Sequence, residues 1–355
     1  MKKVTRILGL ACMAGLLAFN TSCKKEDNAG MMTVTVSTPE MTVDGADRAY
    51  INTDFQFMWE QSDQIYVYNL DANSANSVVQ MFHNISGGPR PKAIFKGPSV
   101  GRVKGSAGYR FFYPVDMCSG DIAELQTEGN RQTFVVPETQ EYGQYYLAGD
   151  PEHPYMIVDP MSMPMACAPE KLTGNATMQH MFGLAKFGFR APAEANKVVT
   201  AVEVTDKVYN LNGTVSLNVA AVNTDELNTL FDEYIAGDAN FAQHYADYVV
   251  DEMGWLPEGD GNKTITLNCV NAGVNGVQLT SASNSEWFYI LLRPLALSQG
   301  FTVKVYFEDG TTFVIDEYEN WATPNMANTI RPRYQRTYEY PYVITGEAIQ
   351  GAHWE

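Results

Sequence analysis

Short runs that alternate polar and apolar residues recur along the chain. Thr33-Val34-Thr35-Val36-Ser37 has period two, the pattern of a strand with one buried face. Residues 55–59, 64–68, 199–204 and 214–217 repeat it. Near the end, residues 301–307 and 311–315 flank Asp309-Gly310, a strong hairpin signal. No strand–helix alternation accompanies these runs, which argues against a doubly wound parallel sheet and predicts an all-β chain of β-sandwich type.

Two stretches depart from that pattern. In the first, Leu227, Leu230, Phe231, Tyr234 and Ile235 recur at helical spacing after Asn223 and Glu226, a candidate cap pair. Phe241, Tyr245, Tyr248 and Val249 continue the spacing, so a small helical insertion is expected at about residues 223–253. It carries eight carboxylates (Asp225, Glu226, Asp232, Glu233, Asp238, Asp247, Asp251 and Glu252) and no Lys or Arg. That reads first as a solvated acidic face, with a cation or partner contact as the other reading. In the second stretch, residues 151–169 hold five prolines and four methionines, which excludes a helix or a central strand there and predicts an edge or loop crossing. The polar, proline-containing residues 190–197 mark a boundary, giving an N-terminal domain over 33–190 and a C-terminal one over 191–355.

The N-terminus carries an address. Lys2, Lys3 and Arg6 precede the apolar run 7–19, which is shorter than the ~20 residues a spanning helix needs. A small residue and a cysteine follow, Ser22-Cys23, and then a charged run from Lys24 to Asp27. This resembles a lipoprotein signal over residues 1–22, cut between Ser22 and Cys23, with Cys23 acylated and residues 23–32 as a tether. Asn20 departs from the usual leucine, and Cys12 is a competing acceptor that leaves too short an apolar region.

Charge and chemistry narrow the function. Hydrophobic residues make up 45% of the 355 and charged ones 18%, enough for a sizeable core. Acidic residues outnumber basic ones 41 to 24; from Cys23 onward the balance is 41 to 21, or −20. Such a surface repels phosphate backbones, so nucleic acid is not an expected partner. No nucleophile elbow, zinc helix, phosphate loop or dinucleotide fingerprint occurs, and the five histidines are isolated. No catalytic residue, metal or cofactor is therefore assigned; residues 258–262 read as a turn sooner than as a calcium loop. Cys118, Cys167 and Cys269 show no metal or disulfide-framework spacing and read as buried thiols; one disulfide among them is the alternative, with the pair open.

The segment Trp59-Glu60-Gln61-Ser62-Asp63-Gln64-Ile65-Tyr66-Val67-Tyr68 resembles the opening of fimbrillin-like pilin proteins. Tyr109-Arg110-Phe111-Phe112-Tyr113-Pro114, His180-Met181-Phe182-Gly183-Leu184-Ala185, Leu291-Leu292-Arg293-Pro294 and the tail Ile349-Gln350-Gly351-Ala352-His353-Trp354 are similar to later strands of that family, in its order. Ser62, where glycine is usual, and the acidic insertion depart from the family pattern.

The resemblance implies two tandem transthyretin-like antiparallel β-sandwich domains, exported as a lipoprotein to the outer-membrane surface. It also implies a structural or adhesive fimbrial subunit whose partners are other pilin subunits, with a host or bacterial surface ligand as a further candidate partner. In polymerising members a trypsin-like protease removes the first strand after an arginine, and a strand from the next subunit fills the groove. Here that scheme selects Arg48, before Ala49, with release of the strand around 33–43 and a donor strand at about 342–349 (Tyr342, Val343, Ile344 and Ile349). The alternative is that Arg48 is an ordinary loop residue. A surface lipoprotein that binds glycans through exposed aromatics is the rival function; clustered, exposed Trp and Tyr would favour it.

Overall fold

The structure is a computed structural model and describes residues 30–37, 42–43, 57–69, 78–87, 90–101, 109–117, 131–142, 145–147, 150–156, 165–167, 175–218, 256–257, 261–270, 275–297, 300–317, 329–330 and 334–343. In chain order the strands are β1 (Met31–Ser37), β2 (Thr42–Val43), β3 (Gln64–Asn69), β4 (Val78–Asn84), β5 (Lys92–Pro98), β6 (Tyr109–Tyr113), β7 (Arg131–Val136), β8 (Thr139–Glu141), β9 (Tyr145–Leu147), β10 (Asp150–Met156), β11 (Met165–Cys167), β12 (Asn175–Thr177) and β13 (Gln179–His180). They continue as β14 (Gly183–Arg190), β15 (Val198–Asp206), β16 (Gly213–Asn218), β17 (Leu256–Pro257), β18 (Thr264–Asn268), β19 (Val277–Gln278), β20 (Glu286–Leu292), β21 (Leu295–Ala296), β22 (Phe301–Phe307), β23 (Thr312–Glu317), β24 (Thr329–Ile330) and β25 (Tyr334–Val343).

The architecture is all-β, as the period-two runs predict. An eight-stranded sheet runs β12-β1-β5-β4-β3-β6-β11-β13. A four-stranded sheet runs β2-β25-β14-β20, and a larger one runs β23-β22-β15-β18-β8 with β19 beside β15. Three small sheets complete the described residues. Residues 190–197 connect β14 to β15 and so carry the chain from one sheet into another. Most pairings are antiparallel. The purely antiparallel expectation is corrected at four places, where β1–β12, β2–β25, β14–β25 and β18–β8 pair in parallel. These join strands far apart in sequence, a pairing that a hairpin cannot make.

Alternation sets the core. β5 is buried at Ala93, Phe95 and Gly97 and exposed at the residues between them, and β22 alternates buried with half-buried residues. The inward side chains form one continuous apolar cluster. Strands β22 and β23 make the hairpin expected around Asp309-Gly310, with Gly310 at φ 80°, where glycine bears no steric cost. The proline-rich stretch contributes β10, in a two-stranded sheet with β9, and, against the expectation that no central strand lies there, β11 between β6 and β13, which can pair on both sides because its three residues include no proline. The 55–59 run forms no strand among its described residues: Trp59 makes a single bridge to Arg90. The physical reason is the turn that follows, in which the Asp63 amide donates to the Glu60 carbonyl (3.1 Å) and the Glu60 amide to Asp63 Oδ2 (2.7 Å). The expected helical insertion lies outside the described residues, and no described helix is long and apolar enough to cross a membrane.

Candidate functional site

The site is built around the first strand. β1 pairs antiparallel with β5 over all seven of its residues, from Met31 opposite Pro98 to Ser37 opposite Lys92. On its other side the short β12 pairs in parallel with Thr35, Val36 and Ser37 alone. Among the described residues, the first four of β1 thus have one strand neighbour and the last three have two. Val34 and Val36 point inward and are 1% and 0% exposed, while Thr33 faces solvent. At about 1.5–3 kcal/mol for each fully buried aliphatic side chain, the two valines supply most of the apolar grip on this strand. Further ties are the Met178 amide donating to the Ser37 carbonyl (2.9 Å), the Ser99 amide to the Gly30 carbonyl (2.5 Å) and the Val100 amide to Met32 Sδ (3.3 Å).

Beyond β1 the chain reaches β2, whose Thr42 and Val43 pair in parallel with Tyr334 and Gln335 of β25. β25 is held on its other side by β14, where Val343 lies opposite Arg190. The segment around 33–43 therefore contributes a strand to each of two sheets. Of the candidate donor residues, Tyr342 and Val343 belong to β25; Ile344 and Ile349 lie outside the described residues, as do Ser22, Cys23, Arg48 and Ala49.

Phe95, opposite Val34 across the β1–β5 ladder, belongs to an aromatic cluster. Trp59, fully buried, meets Phe57, Phe95 and Tyr113 edge-on at ring-centroid distances of 4.7, 5.0 and 5.2 Å. Its bridge to Arg90, in the segment leading into β5, ties the tryptophan turn to the strand that carries β1. The turn ends on Asp63, whose Oδ1 accepts from the Tyr113 hydroxyl (3.2 Å), and Asn84 Nδ2 donates to the Glu60 carbonyl (2.6 Å). Burial raises the Asp63 carboxyl to about 6, against the two hydrogen bonds that favour its ionised form.

Several buried polar ties left no signal in the sequence. Gln140 is almost wholly buried; its Nε2 donates to the Leu291 carbonyl (2.7 Å) and its Oε1 accepts from the Leu291 amide (2.9 Å), so one side chain serves the open edge of β20 as a strand would. Lys197 Nζ donates to Asp309 Oδ2 and Thr311 Oγ1, both at 2.8 Å, and so pins the hairpin turn. Arg293, buried beside Asp206, donates from Nε to the Asn210 carbonyl (2.9 Å). Burial pushes its guanidinium down to about 10, while Asp206 holds it up. Asn262 Oδ1 accepts from Asn212 Nδ2 (2.8 Å) and the Thr264 amide (2.9 Å), which engages it in protein contacts.

Cys167 and Cys269 are free and buried, and burial raises both thiols; Cys118 lies outside the described residues. Among the side chains whose burial is described, every Trp, Tyr and Phe is buried or half-buried, so no exposed aromatic platform is formed there. Trp287 and Tyr289 are half-buried, and Lys186 Nζ sits 3.9 Å from the Trp287 ring centroid.

No protein-family model and no curated protein matches the chain. Solved structures that resemble it include a Bacteroides ovatus protein assigned to cell adhesion, 13% identical with a TM-score of 0.42, covering 87% of this chain and 91% of the other. A Bacteroides uniformis protein assigned to cell adhesion is 10% identical with a TM-score of 0.42, covering 89% and 94%. The tip fimbrial protein Mfa3 of Porphyromonas gingivalis is 9% identical with a TM-score of 0.33, covering 87% and 94%. These neighbours are cell-adhesion and fimbrial proteins; at such identities and scores the likeness carries no role to this chain.

Proposed function

We propose that the chain is a structural or adhesive subunit of a cell-surface fimbria, exported as a lipoprotein on Cys23 and assembled by exchange of its first strand. The observation that carries this reading is the placement of β1. It is the first described strand, held by two buried valines, one of them opposite Phe95 of an aromatic cluster, and among the described residues its first four positions have one strand neighbour only. Its departure would expose seven residues of β5 edge and an apolar groove, a ready template for an incoming strand. The sequence supports the same scheme, because Arg48 is the only Lys or Arg between Lys25 and Arg90. A trypsin-like cut there detaches β1 and β2 together and touches none of the strands that remain.

In this reading residues 33–190 and 191–355 are two transthyretin-like sandwiches, with the acidic insertion at 223–253 in the second. The partners are further subunits, and the outer membrane is reached through the acyl chains. The donor is the chain end from Tyr342 onward. Because Tyr342 and Val343 complete β25, the informative truncation removes residues 344–355 and leaves that strand whole. Cells expressing the truncated chain are expected to display folded monomer and no filaments by electron microscopy. Normal filaments from that strain would remove the chain end from the donor role.

A further inference from the structure

The eight-stranded sheet is free of acid. Not one Asp or Glu occurs in β12, β1, β5, β4, β3, β6, β11 or β13, in a chain with 41 of them. At β5 its outer face is basic and apolar instead. Lys92, Ile94 and Lys96 are exposed on one side of that strand, the two lysines about 13 Å apart, and Ile94 between them is 43% exposed. Their cross-strand neighbours carry no negative charge: Ser37, Thr35 and Thr33 of β1 lie opposite Lys92, Ile94 and Lys96, and exposed His83 of β4 lies opposite Lys96. Just past β4, Ile85 is 55% exposed and donates its amide to the Ile94 carbonyl (2.8 Å), so the two isoleucines stand side by side. Exposed Arg90 precedes β5. The described acids tied to this region are Glu60 and Asp63, whose carbonyls hold Asn84, and burial raises both carboxyls.

We propose that this face is a peripheral docking surface for an anionic lipid bilayer, with Ile85 and Ile94 entering the headgroup boundary and Lys92 and Lys96 meeting lipid phosphates. Charge complementarity selects a negative occupant, and the exposed isoleucines select one with an apolar layer beneath its charge. Lysine suits both, because its stem lies along apolar surface while the ammonium reaches outward. The backbone separates a bilayer from a peptide partner. While β1 is in place, β5 is flanked by β1 along all seven residues and by β4 and Ile85 on its other side, so the face offers an incoming peptide no strand edge. A lipid surface needs no such edge and favours a face whose backbone groups are already paired and whose side chains include no carboxylate. The net charge of −17 repels the rest of the chain from an anionic membrane, which leaves this patch to set the orientation. The proposal rests neither on acylation of Cys23 nor on strand exchange.

The test uses the chain from residue 23 onward carrying Cys23→Ser, so that no acyl chain contributes, in co-sedimentation with vesicles. Vesicles of phosphatidylglycerol mixed with phosphatidylcholine are expected to bind it, vesicles of phosphatidylcholine alone to bind it at least about tenfold more weakly, and binding is expected to fall several-fold between about 50 and about 300 mM NaCl. Lys92→Glu with Lys96→Glu should weaken binding at least about thirtyfold, while near-UV circular dichroism stays unchanged because both side chains are exposed. Ile85→Thr with Ile94→Thr, which leaves the charge as it is, should weaken it about threefold or more. Equal binding to both kinds of vesicle, no binding to either, or binding unaltered by the charge reversal would each overturn the proposal. So would loss on charge reversal with no effect of the isoleucine changes, which would make the face a site for any polyanion, or binding to polyglutamate and not to vesicles, which would assign it to an acidic polypeptide.

Discussion

If β1 is built to leave, its amides open without the rest of the molecule. Val36 is 0% exposed, and Val36→Ala removes two methyl groups from a packed site. At about 0.8 kcal/mol per group plus a cavity contribution, the loss is about 2–3 kcal/mol. At 1.4 kcal/mol per factor of ten, the equilibrium for strand release shifts ~30- to 150-fold. The matched control is Val202→Ala in β15, also 0% exposed and equal in volume lost, but in another sheet. Native-state hydrogen exchange read by mass spectrometry separates the two. Amides of Met31–Ser37 should exchange faster in Val36→Ala by the factor above, with those of Val198–Asp206 little changed, and Val202→Ala should leave the β1 amides at their parent rates. If β1 and β15 exchange together in the parent and both variants, β1 opens only by global unfolding and is an ordinary core strand.

Further expectations follow from the buried polar groups. Asp63 is raised from an ordinary carboxyl value of about 3.8 to about 6, so the folded protein holds its proton more tightly than the unfolded chain does. Stability due to this group is therefore greatest below pH 4 and declines to about pH 6, by at most ~3 kcal/mol. Asp63→Asn should remove that slope and raise the melting temperature at pH 7, with the Tyr113 hydroxyl turning to accept from the new amide; a pH profile identical to the parent would refute the assignment. Gln140→Leu strands the Leu291 amide and carbonyl in the interior and should cost about 2–5 kcal/mol in urea denaturation; a loss below 1 kcal/mol would mean that other groups reach that edge.

How much of this was legible depends on the range of the interaction. Strands such as 33–37, 64–68, 199–204 and 301–307 declare themselves through alternation, because one face of each is buried and the other wet. The Asp309-Gly310 turn declares itself through local geometry. What joins strands distant in sequence leaves no local trace. The parallel pairing of β14 with β25, the seating of β2 on β25 and the Gln140 side chain at the edge of β20 each rest on a partner about 150 residues or more away. Trp59 shows the intermediate case: its alternation is genuine, yet the Glu60–Asp63 turn takes up the backbone groups that a strand would have extended.

Strand exchange makes a definite statement about covalent ends. Filaments sheared from the cell surface, dissociated and read by N-terminal sequencing, are predicted to yield subunits that begin at Ala49, with residues 23–48 left behind. Subunits that begin at acylated Cys23 and retain Val34 and Val36 would contradict the account.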